Sequence, residues 1–461
     1  MLAAFRNKLY NTSEIDPNKK LFTNKALWVL LIPIMIEQLL NSFMGMADTM
    51  MVSSVSSAAI SAVSLVDSIN TLVLQIFSAM AAGAVIVCSQ CLGRGNEKRC
   101  NKAARQVVLA MLVISMALML IGIFARGQIL HIIFGNVEAD VMNNSMVYFL
   151  ISVISYPFMA LFNAGSAFYR ASGNSKFPMK VSVISNIMNI IGNVIFIFGF
   201  KMGVTGAALS TLLSRAFNAL VIFYFLRKPK QTIVINDYLK IRPDFALIGT
   251  ILAIGVPSGI ENGMFQFGKL MIQSTVSQLG TVAIAAQAMT NILENLNGIA
   301  AVSIGIGLMT VVGQCIGAGR KEEAKYYIVK LTGYAEASII VSCLFVLLIT
   351  KPVTALARME IASAKMCFEM VIFITITKPI SWALSFIPAY GMRAAGDVKF
   401  SMIVSSLTMW LCRVALCIYL CKVWGFGPIA VWIGMFADWT IRGIIFTLRF
   451  ISGKWAEHSI I

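Results

Sequence analysis

Apolar residues run along this chain in long blocks separated by short polar ones. Crossing about 30 Å of hydrocarbon takes roughly 20 residues of helix. Twelve stretches reach that length, at about 27–50, 62–90, 103–125, 141–169, 178–200, 203–226, 247–277, 283–316, 327–350, 366–391, 398–421 and 427–449. The longer ones leave room for tilt or for amphipathic ends. The pattern predicts an all-α integral membrane protein with twelve transmembrane helices.

The blocks come in two matching sets. Pro33 and Glu37 in LIPIMIEQLL recur as Pro257 and Glu261 in GVPSGIENGM, 224 residues on. The same offset of 224 carries Ala59-Ile60 onto Ala283-Ile284, and Gln90-Cys91 with Gly93 onto Gln314-Cys315 with Gly317. YRASGNSKFPM from Tyr169 returns as MRAAGDVKFSM from Met392, an offset of 223, so one residue has been lost between. So constant a register marks two copies of one unit. Six spans per copy leave both copies in the same orientation, which predicts two six-helix bundles related by a pseudo-twofold along the membrane normal. The implied organisation is a cytoplasmic segment 1–26, an N-lobe 27–227, a cytoplasmic linker 228–245, a C-lobe 246–450 and a cytoplasmic tail 451–461. Internally repeated membrane folds of this kind are typical of transporters with a central site.

Composition agrees, with 58% hydrophobic and 12% charged residues, too apolar for an ordinary soluble domain. The basic excess, 37 Lys and Arg against 20 Asp and Glu, is unevenly placed. One side of the twelve spans holds Arg6, Lys19, Lys20, Arg94, Lys98, Arg99, Arg227, Lys228, Lys240, Arg320 and Lys321 among others. The opposite side holds few, namely Arg126, Lys201, Lys351, Arg358, Lys365 and Lys422. By the positive-inside rule both termini and the linker are expected in the cytoplasm, in a multi-pass protein of the plasma or inner membrane. The basic loops suit anionic headgroups of the lipid bilayer, and no nucleic-acid partner is expected.

The first 26 residues lack an apolar core before a small-residue cleavage site, so they do not read as a cleaved signal peptide. Cys88-Ser-Gln-Cys91 has CxxC spacing but no second pair and no nearby histidine, which argues against zinc. The histidines are His131, in an outer loop, and His458. Neither a hydrolase triad nor a phosphate-cradling glycine loop is apparent, so no enzyme and no cofactor are expected. Uphill transport would draw on an ion gradient or on a partner.

The ionisable groups inside the spans carry the candidate chemistry, because each costs about 2.5–3.5 kcal/mol at a helix centre. Glu37 and Asp48 in span 1 are 11 residues apart, three helical turns, with Asn41 and Gly45 between them on one face. Span 5 has a matching stripe, Asn186, Asn189 and Asn193. Span 6 adds Thr211. At about 1.5 Å per residue, Asp48 lies roughly 30 Å along span 1, Asn193 roughly 24 Å along span 5 and Thr211 roughly 12 Å inward along span 6. All three fall in the outer half of the first lobe. A carboxylate with amide and hydroxyl oxygens at one depth can carry a proton or coordinate Na⁺; alternatively the asparagines only join helices.

The second copy differs. The counterpart of Asp48 is Ile272, and the ionisable groups read inside the spans of this half are Glu261, Lys269, Glu294 and Lys378. Carboxylates facing a central cavity, with Phe265, Met264 and Trp382 as apolar walls, would suit a cationic lipophilic ligand. The candidate substrate cavity is therefore Glu37, Asn41, Glu261, Phe265, Glu294 and Trp382.

MADTMMV in span 1, the pair RASGNSKFPM and RAAGDVKFSM, NIMNIIGNVIFIFGFKMGVTGAALST and WIGMFADWTIR together resemble the multidrug and toxic compound extrusion (MATE) transporters, from about residue 20 to about 450. The resemblance implies antiport, in which an organic cation or other amphipathic drug leaves as Na⁺ or H⁺ enters, by alternating access between two bundles. It maps the family's first-helix aspartate to Asp48, a supporting asparagine to Asn189, and the threonine after GAAL to Thr211. Where one branch has a second aspartate this chain has Asn193, which leaves open whether H⁺ or Na⁺ couples. Where another branch has a glutamate in span 7 and an aspartate in span 10, this chain has Phe265 and Trp382. The expectation is a monomer that couples through Asp48, Asn189, Asn193 and Thr211, with Na⁺ possible at those four. A lipid-precursor flippase of the related superfamily is the alternative.

Overall fold

The computed structural model describes residues 10–11, 15–16, 19–135, 137–236 and 242–457. Arg6, Lys240 and His458 lie outside the described residues. Among those described the regular structure is helical. In chain order the helices are α1 (Asn24–Ser53), α2 (Ser57–Gly93), α3 (Glu97–Phe124), α4 (Arg126–Phe134), α5 (Ala139–Ile154), α6 (Tyr156–Ala171), α7 (Lys176–Asn193) and α8 (Gly203–Leu226). The second half has α9 (Phe245–Ser277), α10 (Thr281–Gly317), α11 (Lys321–Leu356), α12 (Ile361–Ala395), α13 (Val398–Thr408), α14 (Leu416–Val423) and α15 (Ile429–Ile451). A π-helical turn, Val194–Gly199, follows α7, and another, Met409–Ala415, joins α13 to α14. The same span of each repeat is thus widened by one π segment.

Eleven of these spans are long and apolar enough to cross a membrane, and α5 with α6 makes a twelfth if the bent pair is one span. The two meet at a 43° bend. Pro157 explains the break, because its ring lacks an N–H and clashes with the carbonyl one turn back. Side chains bond at the break. Ser155 Oγ donates to the Ser152 carbonyl at 2.6 Å, and Arg215 Nη1 donates to Ser155 Oγ at 2.6 Å. The connection after α3, expected as a plain outer loop, holds the short helix α4 and places His131 within it.

The repeat extends to backbone conformation. Gly173 and Gly396, 223 apart, both have positive φ, as do Gly203 and Gly427, 224 apart. Lys201 and Arg358 are the non-glycine residues with positive φ among those described, and glycine stands at each counterpart, Gly425 and Gly135.

Contacts divide the chain into two compact units, residues 26–259 and residues 260–461 together with the first 25. In the first, α2 packs against α3, α5 and α6; in the second, its counterpart α10 packs against α11 and α12. Small residues allow this. Ala79, Ala81 and Ala84 in α2 are buried, and so is Ala301 in α10. The division places α9 up to Gly259 with the first unit. A Cβ at Gly83 would lie 3.3 Å from the Ile251 carbonyl oxygen, so two backbones meet there. It also places the described N-terminal residues with the second unit. Leu21 N donates to Glu323 Oε1 at 2.7 Å, and Tyr327 donates its hydroxyl to the Phe22 carbonyl at 2.6 Å.

Candidate functional site

In the first unit a polar seam joins α7 to α8. Asn186, Asn189 and Asn193 recur at helical spacing, and all three are buried. Asn193 Nδ2 donates to Asp48 Oδ1 at 2.6 Å and lies 3.3 Å from Asn189 Oδ1. Asn189 Nδ2 in turn donates to Thr211 Oγ1 at 3.3 Å. Ser210 Oγ fixes the seam from α8 by donating to the Asn189 carbonyl at 2.7 Å. The four residues Asp48, Asn189, Asn193 and Thr211 therefore form one chain of hydrogen bonds ending on a carboxylate. Asn193 Oδ1 is buried without a hydrogen-bond partner, so an oxygen lone pair stays open beside Asp48. A buried acceptor left so is costly unless something visits it.

A second carboxylate of this unit, Asp67, stands in a hydrogen-bond set of its own. Asn70 donates to Asp67 Oδ1 at 3.1 Å, Tyr148 donates to it at 3.4 Å, and Tyr156 donates to Asn70 Oδ1 at 2.9 Å. Sequence reasoning passed over Asp67 and Arg215. The signal was present, because both are ionisable residues well inside apolar blocks. Asn41 is exposed and lies outside this network.

The repeat-related acids Glu37 and Glu261 do not stand free. Arg170 Nη2 meets Glu37 Oε1 at 2.7 Å, and Arg393 Nη2 meets Glu261 Oε1 at 2.7 Å. Both carboxylates are buried, at 2% and 3% exposure. Each pair ties the proline-containing helix of its repeat to the arginine of the repeated RA(S/A)G motif.

The second unit holds a larger charged cluster. Lys378 Nζ meets Glu294 Oε1 at 2.7 Å. Trp382, one turn on from Lys378, stacks on Phe386 at 4.5 Å between ring centroids. Arg413 Nη2 meets Asp438 Oδ2 at 2.6 Å and Arg442 Nη2 approaches the same oxygen at 3.5 Å. Phe265 faces both guanidinium groups, at 5.5 Å from Arg413 and 5.4 Å from Arg442. Arg413, Asp438 and Arg442 were not singled out in the sequence, although all three interrupt apolar spans. Ile272, the counterpart of Asp48, sits in an apolar cluster with Val276, Met409, Val414 and Trp432. The polar site of the first unit has no copy in the second.

Two copies of a helical membrane bundle, each with ionisable groups buried at span depth, define a membrane transporter of duplicated fold. The chain matches the MatE family over residues 33–195 and 257–419, one match per copy, and belongs to it. It is 28% identical over 458 residues to a probable multidrug resistance protein NorM of Thermotoga maritima, covering 95% of this chain and 94% of that one. It is 27% identical over 257 residues to the multidrug export protein MepA of Staphylococcus saprophyticus, covering 55% and 56%. Among solved structures, the outward-facing form of a multidrug resistance MATE transporter of the MOP superfamily superposes with a TM-score of 0.87 at 18% identity, covering 93% of this chain and 96% of that one.

Proposed function

We propose that this chain is an ion-coupled antiporter of the plasma or inner membrane, with both termini cytoplasmic. It exports amphipathic organic compounds by alternating access and works as a monomer. The names of its relatives, which are multidrug resistance and export proteins, support the substrate class. The observation that carries the coupling is the hydrogen bond of 2.6 Å from Asn193 to Asp48, at the end of the chain through Asn189 and Thr211.

That arrangement favours H⁺ over Na⁺. Asn189 donates to Thr211 and accepts from Asn193, and Asn193 turns its amide N–H toward the acid. A bound Na⁺ would have to break these hydrogen bonds to draw Asn189 Oδ1 and Thr211 Oγ1 to itself, and it would have one formal charge to balance it. A proton needs only the carboxylate. In the cycle, Asp48 takes a proton from the outer side and loses the charge that strengthens its bond from Asn193. The π turn that starts at Val194 then lets the end of α7 re-pack, since π segments add a residue to a turn and are readily reset. Substrate leaves outward, and deprotonation toward the cytoplasm restores the charge.

Proteoliposomes with an imposed pH gradient test this. Asp48→Asn is expected to reduce gradient-driven efflux of a fluorescent substrate to the level of empty vesicles while the protein stays folded in the membrane. Efflux undiminished in that variant would remove Asp48 from the mechanism. Efflux that follows a Na⁺ gradient at clamped pH would replace H⁺ by Na⁺.

A further inference from the structure

The three carboxylates expected to attract a cation, Glu37, Glu261 and Glu294, are each matched by a base at 2.7 Å. The charge left over in the second unit is positive. Around Phe265 and Trp382 stand Lys269, Lys378, Arg413 and Arg442, against Glu294 and Asp438. Glu261 also acts on Arg442, but so does Arg393, its own ion-pair partner. Lys378 is matched by Glu294, but Arg413 and Arg442 share the one carboxylate of Asp438, so the cluster holds a guanidinium without an acid of its own.

The excess can be located. Lys269 makes no hydrogen bond or ion pair among the described residues, and its side chain is exposed. A lysine in a span often bends its stem toward the headgroups. Here Lys269 lies one helical turn on from Phe265, on the same face of α9, and Phe265 faces both guanidinium groups. The arginines have donors to spare. Arg413 Nε and Arg442 Nη2 are buried without a hydrogen bond, because Asp438 must serve both guanidinium groups and Ser385 takes only Arg442 Nε, at 2.7 Å. Asp438 Oδ1 is likewise without a donor. Aromatic rings border these donors, with Phe386 at 4.1 Å from the Arg442 guanidinium and Phe265 between the two arginines.

Buried positive charge at membrane depth is stable only when something compensates it. A cation would add to the deficit, whereas an anion would remove it. Flat apolar rings beside spare N–H donors match a carboxylate or sulfonate carried on an aromatic body. We infer that the second unit binds the anionic group of an amphipathic aromatic substrate through Lys269 and the Arg413–Asp438–Arg442 cluster, against Phe265 and Phe386. The inference rests on the export reading above, whose substrate class it narrows.

Two dyes with the same xanthene body separate the possibilities, anionic fluorescein and cationic rhodamine 6G. Binding of each to the detergent-solubilised full chain is read by fluorescence anisotropy, without any gradient. Fluorescein is expected to bind about tenfold more tightly than rhodamine 6G. Lys269→Gln is expected to weaken fluorescein about fivefold, the loss of one close charge, without changing rhodamine 6G or the melting temperature. Equal or tighter binding of rhodamine 6G would overturn the inference, as would fluorescein binding indifferent to Lys269→Gln. Asp48→Asn should keep full fluorescein binding, and an unsubstituted chain that binds fluorescein but shows no gradient-driven efflux would count against the antiport reading alone.

Discussion

The Glu37–Arg170 and Glu261–Arg393 pairs make the sharpest case at the residue scale, because the same contact occurs twice. Each joins residues far apart in sequence, 133 and 132 positions, at the same 2.7 Å. A buried pair is not strong evidence of net stabilisation, since both ions were desolvated to make it. Removing one partner is different, for it strands the other charge. Glu37→Gln is therefore expected to lower stability by about 3–5 kcal/mol, with Glu261→Gln doing the same in its own unit. Replacing both partners, Glu37→Gln with Arg170→Gln, should recover a large part of that loss. Thermal unfolding of the detergent-solubilised protein measures all three. If the double variant is no more stable than the single one, the stranded charge is not the cause. The four residues were all legible as repeated motifs in the sequence, which offered the acids as cavity groups. What the sequence could not supply was the partner, since no local rule links positions 133 apart.

Among the elements, hydropathy located the spans closely because a membrane leaves so few alternatives. Backbone groups in hydrocarbon must bond within their own helix, so a long apolar block can hardly be anything else. The bend between α5 and α6 was less legible. Pro157 is visible in the sequence, but Pro33, Pro257 and Pro379 also lie in spans and sit inside continuous helices. What differs is that Ser155, at the break, is held by Arg215, and that support comes from another helix. The turn before α8 gives a cleaner test of repeated geometry. Lys201 adopts φ 54° where its counterpart Gly425 has φ 68°. A left-handed backbone costs an ordinary residue about 1–2 kcal/mol, partly offset by the flexibility that glycine loses on folding, about 0.5–1 kcal/mol. Lys201→Gly is thus expected to raise the melting temperature slightly. Gly425→Lys should lower it, although no atom within 4 Å would obstruct a Cβ there. A fall on Lys201→Gly would show that the lysine side chain contributes more than its backbone costs.

The whole molecule is a duplication that kept its backbone and changed its chemistry. Register, left-handed turns and the two buried ion pairs recur, whereas Asp48 in a polar seam answers to Ile272 in an apolar cluster. That asymmetry was legible in part, because the loss of the acid at position 272 is written in the sequence. The basic cluster was not assembled, because Arg413, Asp438 and Arg442 come from two spans and become a site only when those spans pack. Orientation is the property of the entire chain that remains to be measured. Breaks at 54–56, 278–280 and 424–428 carry no basic residue, while 94–99, 227–230 and 320–321 are rich in them. Lys and Arg near span ends are retained on the cytoplasmic side, which fixes the direction of every span once one is known. Twelve spans then return the chain to the side from which it started. A fluorescent protein fused after Gly453 is expected to light up and alkaline phosphatase fused there to stay inactive, whereas phosphatase inserted after Ser54 should be active. Phosphatase activity at Gly453 would mean an odd number of crossings or an inverted chain, and with it a proton path opposite to the one proposed for Asp48.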